Sequence, residues 1–234
     1  MKYFPGLSAL NRSPQNRALP IEPLWFEWLA LVGLFAFASW LLGVQGVWLL
    51  LLRSDPTGIT FVIIVVFVAS TLWTGARARE LSSQRALLQA ASTRQPQSWG
   101  AAHGWAAEYW ADLTAAPRDS GAPLDMLLER THGPHSTAWW VNGIQLKLGL
   151  LGKVIGFSIL ALQIGQMQNF DASQSQELLR SLTTGLGVAL LTTMVGLVGN
   201  ILLGLQLTRL DRFADDLVVQ AQRHGLRISS IQPD

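Results

Sequence analysis

The chain has 234 residues, 50% of them hydrophobic and only 14% charged, with a net charge of +2 and no cysteine. A soluble domain of this size is about a quarter charged, so the composition argues against an ordinary soluble enzyme, and the absence of thiols removes disulfide, thiolate and cysteine–metal chemistry. The basic pI of about 9.4 comes from arginines set beside long apolar runs, a pattern of membrane topology rather than of nucleic-acid binding.

Residues 1–22 read as a polar, proline-containing tail carrying Lys2, Arg12 and Arg17. There is no short apolar region followed by a cleavage site, so no signal peptide is expected. Residues 23–76 read as a transmembrane helical hairpin. The run Leu24–Leu52 holds a single charge, Glu27, flanked by Trp25 and Trp28 in the manner of an interfacial anchor. As one helix it exceeds the thickness of a bilayer core and should tilt or protrude. Arg53–Gly58 contains Pro56 and Gly58 and reads as a turn. Ile59–Ala76 is rich in Ile, Val and Phe; in water that would suggest a strand, but in lipid its backbone can be satisfied only by a helix.

Residues 77–138 form the main polar region. Arg77, Arg79, Arg85 and Arg94 follow the second crossing directly, which places this region, and the N-terminus two crossings earlier, in the cytoplasm. Ala76–Ser92 should continue the second helix, with Glu80, Gln84 and Arg85 toward water and Leu81, Leu87 and Leu88 as a seam. A break is expected at Gln95–Ser98, a helix over Ala101–Ala115, a loop over Pro117–Pro123, and a short helix Leu124–Arg130 ended by Thr131–Pro134. Alone, this region is a weak candidate for an independent core.

Residues 139–208 hold the third and fourth crossings, about Asn142–Met167 and Leu178 to past Leu207, joined by the polar loop Gln168–Gln176. Residues 209–234 continue as an amphipathic helix and tail, with Leu210, Phe213, Leu217, Val218 and Ala221 on one face and Arg212, Asp215, Asp216 and Arg223 off it. The expected fold is all-α and polytopic, with four transmembrane helices and both termini cytoplasmic.

The last two crossings carry stripes of small and hydroxyl residues. Gly149, Gly152 and Gly156 recur at three- and four-residue spacing, as do Ala189, Thr192 or Thr193, Gly196 and Asn200. Such stripes let helices approach closely, here around a third object. Lys153 is the one charge well inside a span, and an intramembrane lysine is a functional hypothesis by default; the bland reading is that it snorkels to the headgroups. For Thr192 and Thr193 the bland reading is a bond back to the preceding turn, the functional one a hydroxyl lining an ion path. Asn200 reads first as a helix–helix hydrogen-bonding residue. His132 and His135 lie three apart without a nearby cysteine, and a solvated loop outweighs a metal site. No nucleophile motif and no phosphate loop is present, so no enzyme activity and no cofactor is expected.

Gly149-Leu150-Leu151-Gly152-Lys153-Val154-Ile155-Gly156, followed by Ala189-Leu190-Leu191-Thr192-Thr193-Met194-Val195-Gly196-Leu197-Val198, resembles the last two membrane helices of the MotA/TolQ/ExbB proton-channel family. The likeness covers roughly a quarter of the chain; the motif wording is closer to ExbB and TolQ, the order of elements to MotA. Lys153 stands where the family usually has Thr, and Val188 where the ExbB and TolQ branches often have Glu, while Thr193 matches the second family threonine. The resemblance implies a bacterial inner-membrane protein in which five copies surround two helices of a smaller partner. That partner would be an ExbD-, TolR- or MotB-like single-span subunit whose membrane aspartate titrates as ions, in all expectation protons, cross. It further implies that Lys153, Thr193, Thr192, Gly149, Gly156, Ala189, Gly196 and Asn200 face the ion path or the partner. The alternative is a non-conducting membrane scaffold of the same fold, because a ring of lysines repels cations.

Overall fold

The structure, a computed structural model, describes residues 24–55, 57–92, 103–115, 121–165 and 172–229. Among them every regular element is an α-helix: α1 Leu24–Val44, α2 Val47–Ser54, α3 Ile59–Ser92, α4 Trp105–Ala115, α5 Gly121–Gly165 and α6 Ala172–Ser229. The expected N-terminal tail and the break at Gln95–Ser98 lie outside the described residues, as do 116–120, 166–171 and 230–234. Four helices, α1, α3, α5 and the Gly185–Arg227 part of α6, are long and apolar enough to cross a bilayer, which makes this a multi-pass membrane protein by length and composition.

The first apolar run is broken into two helices. At Gly46 the backbone turns left-handed, with φ +74°, a conformation glycine adopts without steric cost. The indole of Trp48 then reaches back to donate to the Ser39 carbonyl at 2.9 Å. A 21-residue α1 spans about 32 Å at 1.5 Å per residue, so the break answers the excess length that tilting would otherwise have to absorb.

The β-branched run of the second crossing is helical, as the bilayer requires. Asp55 starts it: its carboxylate accepts from the main-chain N–H of Thr57 at 2.9 Å and of Thr60 at 2.6 Å, a cap on the first turn of α3. Burial pushes this carboxyl up, but the hydrogen bonds from Thr57 and Thr60 outweigh it and hold the group below its ordinary 3.8.

Three corrections concern α5, α6 and the extended end of α3. The short helix that was expected to stop at Thr131–Pro134 is the beginning of α5, which runs through Pro134 without interruption into the third crossing. The second half of the expected polar loop Gln168–Gln176 is the first turn of α6, which begins at Ala172. Arg85, expected to face water, lies over the ring of Phe213 at 4.7 Å, its stem used as packing surface.

α5 and α6 form the central antiparallel pair, α3 packs against both, and α1 lies outermost: none of the residues in its most apolar window is buried. Beyond the apolar spans the extended ends of α3, α5 and α6 enclose α4. There Trp110, fully buried, donates its indole N–H to the Ala221 carbonyl at 2.8 Å and packs with Ala107, Leu127, Leu217 and Ala221 in one cluster. A second cluster joins Leu24, Ala78, Leu81, Leu210, Phe213 and Ala214. The amphipathic face read from the sequence of α6 is the one these clusters bury: Leu210, Phe213, Leu217, Val218 and Ala221 are all in the core. The polar region therefore owes its stability to the long membrane helices that run into it.

Candidate functional site

The two small-residue stripes face each other. A methyl group at Gly196 would lie 2.8 Å from the Gln145 carbonyl oxygen and 2.9 Å from the Gly149 Cα; one at Gly156 would lie 2.9 Å from the Ala189 nitrogen. At Gly152 it would meet the Thr192 side chain at 2.6 Å. Backbone lies against backbone, so no larger side chain fits without separating the helices. Gly149, Gly152, Gly156, Ala189, Thr192 and Gly196 are all buried in this contact. The third object that the stripes were expected to surround is, within one chain, absent from them: each stripe is covered by the other helix.

The two threonines divide. Thr192 is fully buried and donates back to the Val188 carbonyl at 2.8 Å. Thr193 is partly buried; its hydroxyl is shared between the Ala189 carbonyl at 2.8 Å and, across the seam, the Gly149 carbonyl at 3.2 Å. In an α-helix the Gly149 carbonyl also receives the main-chain N–H of Lys153, four residues on. Thr193 and Lys153 are thereby joined to one rung of α5. The Lys153 side chain itself is exposed, with Nζ 5.9 Å from the centre of the Phe157 ring, and so leaves the seam rather than entering it.

One to two turns closer to Trp139 the seam becomes polar. Asn200 donates to the Asn142 carbonyl at 2.9 Å, the interhelical role its sequence position suggested. Asn142 and Gln145 are 5% and 0% exposed. A further step along α6, the buried Gln206 accepts from the Thr74 hydroxyl at 2.8 Å, and Trp28 donates to the same hydroxyl at 3.3 Å, tying α1, α3 and α6 together.

A densely connected polar group lies where α3, α5 and α6 leave the apolar zone, and reading the sequence missed it. Arg77 is 7% exposed. Its guanidinium pairs with Glu80 at 2.6 Å, donates to the carbonyls of Arg130 and Thr131 (the latter at 3.1 Å), and offers Nε to His135 Nε2 at 3.4 Å. His135, 2% exposed, is on a helix and buried, contrary to the solvated loop expected. With Nε2 accepting from Arg77, its Nδ1–H donates to Asp211 at 2.7 Å, and the other Asp211 oxygen accepts from the Trp139 indole at 2.8 Å. One turn away His132 lies 2.9 Å from Asp215. Burial pushes His135 below its ordinary 6.5; the Asp211 carboxylate opposes this, and Arg77 and His132 add to the fall. No group of three or more potential ligands able to hold a metal occurs among the described residues. The sequence signal that could have flagged this centre is the match between His132/His135 on α5 and Asp211/Asp215 on α6, pairs at helical spacing on two helices already expected to be antiparallel.

The fold and seam define a helical, multi-pass membrane protein whose central pair is packed through glycine. No family model, no curated protein and no solved structure matches the chain.

Proposed function

We propose that this chain is the multi-pass subunit of an ion-coupled, energy-transducing assembly in a bacterial inner membrane, conducting protons together with a single-span partner that supplies a membrane carboxylate. The observation that carries this reading is the disposition of Lys153 and Thr193 on one rung of α5. Across 149–165 and 181–208 Lys153 is the one ionisable residue, and no carboxylate is present. Its side chain leaves the chain's own core, so a desolvated ammonium at this depth calls for a counter-charge from outside the chain. A partner's aspartate meets that need, and the Thr193 hydroxyl, on the Gly149 carbonyl of the same rung at 3.2 Å, sets a polar group in the adjoining seam. The likeness of the two glycine–threonine motifs to the MotA/TolQ/ExbB helices supports the same reading. It extends to a ring of five copies around two partner helices, with both termini and residues 77–138 in the cytoplasm.

The experiment is ion flux in proteoliposomes together with co-purification of the partner, identified as a short single-span protein encoded beside this one. Thr193→Val removes a hydroxyl at nearly constant shape and should reduce flux while the assembly persists. Lys153→Thr should release the partner if the ammonium pairs with its carboxylate, and should preserve or raise flux if the lysine only gates. No change in either assay for both substitutions overturns the assignment.

A scaffold of the same fold is favoured by one observation, the exposure of Lys153: in a symmetric ring these ammonium groups would repel cations. Wild-type protein that retains its partner yet passes no ions would establish that reading.

A further inference from the structure

We infer that the α5–α6 seam holds an internal water molecule bridging Asn142 and Gln145, inside the apolar zone and one helical turn toward Trp139 from the Thr193–Gly149 contact. The inference stands on packing alone and holds whether or not the chain conducts ions.

Both Asn142 and Gln145 are more than nine-tenths buried. Three of their polar atoms, Asn142 Oδ1, Gln145 Oε1 and Gln145 Nε2, have no hydrogen-bond partner among the described residues. The two side chains are three residues apart on α5 and so share a face. Gln145 is directed at α6, where a methyl at Gly199 would lie 2.6 Å from its Oε1. Phe67 of α3 closes the same place from the third side, 3.8 Å from that methyl position. Within a bilayer the group cannot turn out to bulk solvent: Trp139 and Trp140 mark the boundary, and Gln145 lies about 8 Å inside it at 1.5 Å per residue.

The chemistry of the three atoms selects the ligand. One is a donor and two are acceptors, and inverting the Gln145 amide exchanges its two atoms without changing that balance. A water molecule accepts from Nε2 and donates to the amide oxygen of Asn142, and such sites are where buried waters are found. A monovalent cation matches the oxygens alone and is repelled by the N–H of Gln145. Gly196 and Gly199 opposite carry no side chain, which lets the Gln145 amide approach the α6 main chain at this level; a leucine in either place would displace the amide and bring hydrocarbon against it.

The test uses the full chain in lipid nanodiscs. A density map fine enough to show solvent should place a water within hydrogen-bond distance of Asn142 Oδ1 and the Gln145 amide. Infrared spectra of Gln145→Glu give an independent readout, because the buried carboxyl reports on its surroundings. Its carboxylic C=O stretch should move to lower frequency when H2O is replaced by D2O, as exchange proceeds through the bound water. Side chains turned onto protein groups in the wild-type map, an ion held by oxygens alone, or a carboxylic band that D2O leaves in place in the folded variant would overturn the inference.

Discussion

Arg77 of α3 donates to the main-chain carbonyl of Arg130, the one acceptor in α5 that Pro134 cannot serve. In an α-helix the N–H of residue 134 would reach residue 130, but proline has none and its ring crowds that same carbonyl. The guanidinium takes the vacant position and extends to the next carbonyl, Thr131, at 3.1 Å. A residue on another helix thus completes α5 where its own sequence would end it.

It follows that Arg77→Gln should destabilise the protein by about 3 kcal/mol, since it removes a buried, charge-assisted donor and leaves its acceptors unpaired. In a Pro134→Ala background, where an N–H again reaches Arg130, the same change should cost less, by about 1 kcal/mol. Thermal unfolding of the four proteins in detergent gives the coupling. Purely additive losses would mean that Arg77 is held by Glu80 and His135 alone.

The glycine seam predicts a sharp contrast between neighbours on one helix. Gly196→Ala places a methyl 2.8 Å from a main-chain oxygen and should cost about 1–3 kcal/mol through forced separation of α5 and α6. Gly187→Ala meets nothing within 4 Å and should be neutral or stabilising, by up to about 1 kcal/mol of helix propensity. Equal effects of the two would show that α5 and α6 do not meet as described.

Stability should fall as the solution is acidified. Burial holds His135 and His224 below their ordinary 6.5 in the folded chain; Asp211 opposes this at His135, whereas Arg77 and His132 reinforce it there and Arg227 does so at His224. The unfolded chain binds protons first, so between about pH 7 and pH 5 stability declines with pH, levelling once both histidines titrate in the folded state. His135→Asn keeps a donor toward Asp211 without a titrating group. Unfolding midpoints across this range should be flatter for the variant; an unchanged slope would locate the dependence elsewhere.

Topology can be read directly because the chain has no cysteine. Single cysteines at Ser54 and Ser173 should react with an impermeant maleimide applied to intact cells, and one at Ser98 only after permeabilisation. Labelling of Ser98→Cys in intact cells would reverse the orientation drawn from Arg77, Arg79, Arg85 and Arg94.

The four apolar crossings and the buried face of α6 from Leu210 to Ala221 were legible because each depends on local period and on the bilayer's demand for internal hydrogen bonds. Pro134 and Gly46 were misjudged for opposite reasons. Proline marks a helix end by a local rule, and nothing near it in sequence shows that Arg77, 57 positions earlier, supplies the missing donor. Gly46 sits in a run so apolar that composition alone made one helix of it, whereas its backbone conformation decides the break. Arg77 itself was counted among arginines that set orientation. Burial separates it from exposed Arg79, and burial is a property of three helices at once. The glycine stripes were visible as stripes, but which surface would fill them was a question of tertiary pairing.

α6 runs for 58 residues without a proline, about 87 Å, whereas its partner α5 carries Pro134 at the point where both leave the apolar zone. The two are therefore unequal as mechanical elements. α6 is a single unbroken rod that runs from the level of Gly149 inside the bilayer to Asp211, Asp215 and the α4 cradle. α5 reaches the same continuity only with a donor lent by α3, the Arg77 guanidinium on the Arg130 carbonyl.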